Sequence, residues 1–120
     1  MSHGNRRVLV VEDEALIASL IETTLGDAGF SVVGPIATVA SAIDTIEREL
    51  VDLAVLDIRL NDMHAYAIAD ELAARGIPFV FVSGFARQDM PPSYRHCAHI
   101  AKPFEPEAIV VALERALPHR

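Results

Sequence analysis

Residues 6–14 read Arg-Arg-Val-Leu-Val-Val-Glu-Asp-Glu. An apolar run with no polar residue in alternate positions is a strand buried on both faces, and this one stops abruptly on three acids. Directly after it, Leu16, Ile17, Leu20, Ile21 and Leu25 recur at i, i+3, i+4 spacing, and Gly29 follows as a stop signal. The spacing predicts a strand over Arg6–Val11 and a helix over Glu14–Ala28. On a helical wheel those leucines and isoleucines spread over about 180°, wider than the ~100° stripe a helix needs to lie on a sheet. One margin, Leu16 or Leu25, is therefore expected to stay partly exposed.

The same alternation repeats along the chain. Ser31–Ile36 reads as a second strand, bent or ended by Gly34-Pro35, and Thr38 caps a helix running to about Leu50. Leu53–Asp57 (LAVLD) is a third buried strand, and Ala65–Arg75 is an alanine-rich helix closed by Gly76. Pro78–Val82 (PFVFV) is a fourth strand, with Phe79 and Phe81 as packing residues. His99–Ala101 is a short fifth strand, and Pro106 opens a last helix to Leu117. Between Phe85 and Ala98 a helix belongs by rhythm, but Pro91-Pro92 breaks it, so that element is irregular. Near-continuous apolar strands alternating with helices give an α/β, doubly wound, five-stranded parallel sheet. Right-handed crossovers put every strand's C-terminal end on one rim, where ligands bind.

Composition narrows the class. A chain of 120 residues that is 52% hydrophobic folds as one domain, taken as 1–120 with 1–5 as a tail. The longest apolar run, Ala108–Leu113, is far short of the ~20 residues of a membrane span. Too few apolar residues follow Arg6-Arg7 for a signal-peptide core, and the single cysteine, Cys97, makes no internal disulfide. The expected location is cytoplasmic. A net charge of −7 opposes a direct grip on nucleic acid. His96, Cys97 and His99 lack a second ligand pair at zinc spacing and read as surface and strand-edge residues.

In the order 2-1-3-4-5 the strand ends deliver Glu12 and Asp13, Asp57, Ser83 and Lys102, the only lysine of the chain. Two carboxylates ~4 Å apart repel by about 4 kcal/mol at an effective dielectric of 20, so three need a cation. Oxygen ligands with a phosphate partner suit Mg²⁺. Aspartate can be the nucleophile toward a phosphoryl group, with the metal, a lysine and a hydroxyl neutralising its oxygens. As isolated features, Asp13 and Glu14 would also serve as helix-terminus residues and Asp57 as a turn residue.

The motifs VVEDE (Val10–Glu14), LAVLDIRL (Leu53–Leu60), FVSG (Phe81–Gly84) and AKPF (Ala101–Phe104) occur in that order. The chain thereby resembles the receiver domain of bacterial two-component response regulators over Arg6–Leu117, with the flavodoxin-like fold. PFVFVSGF (Pro78–Phe85) is further similar to stand-alone alphaproteobacterial receivers with a Phe-Ala-Thr-Gly-Tyr signature. The resemblance implies that Asp57 accepts the phosphoryl group. It implies too that Mg²⁺ is held by Asp13 and Asp57, by Glu12 through water, and by the backbone carbonyl of Arg59. Ser83 and Lys102 would bind the phosphoryl oxygens, and Lys102-Pro103 would be cis. The implied partners are a sensor histidine kinase or a histidine phosphotransfer protein and a downstream protein, with a homodimer on phosphorylation allowed. The module would catalyse its own phosphorylation and dephosphorylation with no separate substrate. Two departures stand out: His99 occupies the place of an aromatic switch residue, with Phe85 as a substitute, and Asn61-Asp62 replaces a proline-containing loop.

The alternative, a small Mg²⁺-dependent phosphatase with an aspartyl-phosphate intermediate, lacks its second acid, because Arg59 stands two residues after Asp57. A flavin or nucleotide binder would need a Gly-rich loop where Glu12-Asp13-Glu14 stands.

Overall fold

A computed structural model describes residues 5–61, 63–84 and 86–118. The elements are β1 (Arg7–Val11), α1 (Ala15–Asp27), β2 (Ser31–Ile36), α2 (Val39–Arg48) and β3 (Leu53–Asp57). They continue with β4 (Arg59–Leu60), β5 (Met63–His64), α3 (Tyr66–Ala74), β6 (Phe79–Ser83), β7 (His99–Ala101) and α4 (Pro106–Ala116). The main sheet is five-stranded in the order β2-β1-β3-β6-β7, with every pairing parallel. This is the expected topology. The short antiparallel hairpin β4–β5 was not expected; it closes the loop after β3, with Asn61 at φ 55°.

The period-two alternation of the strands divides the core. Leu9, Val11, Ala54, Leu56 and Phe81 face α2 and α3, where they pack with Ala42, Ile46, Ile68 and Leu72. Val8, Val10, Leu53, Val55, Val80 and Val82 face α1 and α4 and pack with Ile21, Leu25, Ile109 and Leu113. The central strands β1, β3 and β6 thus bury apolar residues on both faces. Of the two margins of α1, Leu25 is fully buried and Leu16 is 88% exposed.

Three local readings are refined. Thr38 caps α2 as expected, its hydroxyl accepting from the Ser41 amide at 3.2 Å, but the helix ends at Arg48 and leaves Leu50 exposed. Gly34-Pro35 does not end β2: the strand runs on to Ile36 across a register shift against β1. Among its described residues, the segment after β6 forms two 3₁₀ turns, Arg87–Asp89 and Pro92–Tyr94, the irregular element expected there. Tyr94 fastens the second turn to α3 by stacking on Tyr66 (ring centroids 4.5 Å apart) and donating its hydroxyl to Asp70 at 2.7 Å. Phe85, Asp62, His3 and His119 lie outside the described residues.

Gly34 has φ +103°, and a Cβ there would meet Ile36 N at 2.8 Å and Val10 O at 2.9 Å. Gly26, within α1, has no neighbour inside 4 Å of an added Cβ. Gly34→Ala should therefore lower the unfolding free energy by about 1–3 kcal/mol. Gly26→Ala should raise it by about 0.5–1 kcal/mol through helix propensity. Chemical denaturation of the two variants checks the opposite signs.

Candidate functional site

Parallel strands end together, so the rim collects whatever residues terminate β1, β3, β6 and β7. The structure brings the expected set together. A cleft of about 460 Å³ is lined by Asp13, Glu14, Asp57, Arg59, Asn61, Ser83, Gly84 and Lys102. Glu12, Asp57 and Ser83 are buried, and Asp13 is half-buried. Glu12, Asp13 and Asp57 each offer a carboxylate oxygen within 4.8 Å of the others. Arg59 lines the same cleft from β4.

Lys102 closes the cluster from the end of β7. Its Nζ lies 3.2 Å from Glu12 Oε1, 3.3 Å from Asp57 Oδ2 and 3.5 Å from Glu14 Oε1. The loop carrying it is set by the Lys102 amide, which donates to the Ser83 carbonyl at 2.8 Å, and by a cis Lys102–Pro103 peptide. Burial raises the Glu12 carboxyl to about 7; the Glu14 amide, donating to Oε2 at 3.1 Å, opposes this, and Asp57 adds to it. Burial also raises Asp57, against the pull of Lys102. For Lys102, burial opposes the charge, but Asp57 and Glu12 outweigh it and hold the ammonium above its ordinary range. One cation thus serves two buried carboxylates.

The donor set fits a hard divalent ion. Glu12 Oε1 is buried without a hydrogen bond, its approach to Lys102 lying outside hydrogen-bonding geometry. Three converging carboxylates, one with an unsatisfied oxygen, form an oxygen-only environment of the kind Mg²⁺ takes.

Three contacts were not read from the sequence. Glu14 stands at the start of α1 but makes no side-chain cap; its carboxylate turns to Lys102 instead. Asp13 Oδ2 accepts from the Asn61 amide at 2.8 Å, tying the β1 rim to the β4–β5 hairpin. Ser83 Oγ lies 3.2 Å from His99 Nε2, so His99 is more than a strand-edge residue. His96 is exposed, as expected of a surface position, whereas Cys97 is half-buried and packs against the core on the α2–α3 side. Of these, only the His99 contact had a sequence signal, the departure at the switch position.

Comparison with known proteins agrees with this geometry. The response regulator receiver domain model matches residues 8–114. The chain is 30% identical over 116 residues to the transcriptional regulatory protein PdtaR of Mycobacterium tuberculosis, covering 93% of this chain and 57% of that protein. It spans about half the length of the curated relatives it matches. Among solved structures, SdrG from Sphingomonas melonis Fr1 superposes with a TM-score of 0.79 at 35% identity, covering 95% of this chain and 99% of that one. PhyR from Brucella abortus superposes at 0.81 and 30% identity, over 92% and 47% of the respective chains. The chain belongs to the response regulator receiver domain family, the phosphoryl-accepting signalling modules of two-component systems. No described helix is long and apolar enough to cross a membrane.

Proposed function

We propose that Asp57 takes a phosphoryl group from a phospho-histidine donor, and that the modified rim signals by protein contact or onward transfer. The observation that carries this is the convergence of Glu12, Asp13 and Asp57 with Lys102 in one open cleft. An Asp57 oxygen attacks phosphorus, the phosphorus–nitrogen bond to the donor breaks, and the donor imidazole keeps the electron pair. Lys102, already 3.3 Å from Asp57 Oδ2, supplies positive charge beside the acceptor oxygen. Ser83 contributes a hydroxyl from the neighbouring strand end, one residue beyond the register partner of Asp57.

Glu12, Asp13 and Asp57, with the Arg59 carbonyl, would hold Mg²⁺. When bound, it supplies Lewis-acid charge that lets a dianion approach three acids. The Asn61 amide keeps Asp13 turned toward the hairpin that carries Arg59. Acetyl phosphate with Mg²⁺ should add one phosphoryl group to the protein. Asp57→Asn or a chelator should abolish the addition, and undiminished labelling of Asp57→Asn would move the acceptor elsewhere.

The partner is a sensor histidine kinase or a histidine phosphotransfer protein, and its approach is supported by the apolar margin of α1. Leu16 is 88% and Leu20 43% exposed. An apolar groove of about 410 Å³ runs beside the rim, lined by Glu14, Ile17, Leu20, Lys102, Pro103 and Phe104. A helical, histidine-bearing partner seated there brings its phosphoryl group to Asp57. Leu16→Glu should slow transfer from the cognate phospho-histidine protein while leaving labelling by acetyl phosphate intact. Equal slowing with both donors would mean damage to the site or the fold.

A further inference from the structure

Each acid of the cluster already has one oxygen engaged. Asp13 Oδ2 accepts from the Asn61 amide at 2.8 Å, and Glu12 Oε2 from the Glu14 amide at 3.1 Å. Asp57 Oδ2 accepts from Lys102 Nζ at 3.3 Å. What the three acids bring together for a cation is one oxygen each, within 4.8 Å of one another. For Glu12 the oxygen left over is Oε1, buried without a hydrogen bond in a residue only 3% exposed. A supply of single oxygens suits a small octahedral ion such as Mg²⁺, which takes them at about 2.1 Å. Ca²⁺ takes about six to eight oxygens, and a carboxylate often gives it both of its own.

Asp13 is the acid with room to give both. Glu12 and Asp57 are buried, whereas Asp13 is half-buried at the open side of the cleft. Its partner comes from the hairpin, 48 positions away. Arg59 pairs with His64 and Leu60 with Met63, so the chain turns back after Leu60. There Asn61 takes the left-handed backbone region at φ 55°, which Asn enters more readily than most residues. A proline at 61 would have no N–H to give, and its fixed φ of about −65° would exclude this conformation.

We propose that Asn61 is a positioning residue that sets the ion preference of the rim: its amide, by occupying Asp13 Oδ2, holds Asp13 to one free oxygen and favours a small octahedral cation over Ca²⁺. This rests on the reading of Glu12, Asp13 and Asp57 as the cation's ligands. A two-oxygen grip by Asp13 has to break the Asn61 contact, a cost that falls on Ca²⁺ and not on Mg²⁺. The preference lies in the backbone of residue 61 rather than in its side chain.

The test measures Mg²⁺ and Ca²⁺ dissociation constants, from amide ¹H–¹⁵N titrations of the full chain, for wild type and two variants. Asn61→Gly keeps the N–H and accepts the positive φ, so its ratio of the two constants should stay within about twofold of wild type. Replacing Asn61 by its α-hydroxy acid turns the amide into an ester, which keeps the side chain and removes the N–H. That variant should move the ratio toward Ca²⁺ by about tenfold, the worth of a hydrogen bond to a charged group. In the wild type the Asn61 amide proton should stay protected from exchange in saturating Mg²⁺. An unchanged ratio in the ester, a ratio in Asn61→Gly moved as far as the ester's, or loss of that protection in Mg²⁺ would overturn the proposal. Wild type that binds neither ion at the strand ends would instead overturn the cation site itself, and the proposal with it.

Discussion

Everything on the rim depends on one ammonium group. Lys102 lies within 3.3 Å of Glu12 and Asp57, the two most buried acids among the described residues, and neither has another cation so near among those residues. Burial of a carboxylate in a medium of low dielectric is unfavourable, and it is this burial, with the neighbouring Asp57 adding to it, that raises Glu12 to about 7. Lys102 offsets part of it from one side. Glu12 Oε1, 3.2 Å from that ammonium, is nonetheless buried without a hydrogen bond. A site in this condition favours whatever brings further positive charge into the cleft, as a hard divalent ion would.

The sheet makes that condition tolerable. Four strand ends meet at one level, while the apolar remainder of each strand is divided between two helical layers. The acids are therefore backed by a dry, close-packed core and face water only across the cleft. Around them the polar links are local: the Asn61 amide on Asp13, the Glu14 amide on Glu12 and the Lys102 amide on the Ser83 carbonyl. Beyond the rim, the segment after β6 lacks a regular helix and is held instead by Tyr94 on Tyr66 and Asp70 and by Arg87 on backbone carbonyls. Such side-chain anchoring leaves this stretch easier to rearrange than a packed helix would be.

The sheet order and the five rim residues Glu12, Asp13, Asp57, Ser83 and Lys102 were legible because burial on both faces leaves a strong mark. An apolar run that stops on Glu12-Asp13, on Asp57 or before Lys102 can be read without coordinates. The Leu16 margin was legible for the same reason, since the apolar arc of α1 is wider than one sheet contact needs. What stayed hidden depends on contacts between distant residues. Nothing in the local pattern of Glu14 tells whether it caps its helix or reaches a lysine 88 positions away. Likewise the β4–β5 hairpin comes from backbone pairing over four residues too few to show alternation. Of the two readings of Gly34-Pro35, bending or ending the strand, only the edge position of β2 and its register shift against β1 decide for the first.

Glu12, Asp13 and Asp57, with the loop after β3, have the makings of a divalent-cation site. A titration of the unphosphorylated protein with Mg²⁺, followed by amide ¹H–¹⁵N resonances, tests it most directly. Saturable shifts are expected at residues 12–14, 57–61 and 102, with the far ends of the strands unmoved and the shifts weakened in Asp13→Asn. Shifts without saturation, or shifts centred away from the strand ends, would contradict it.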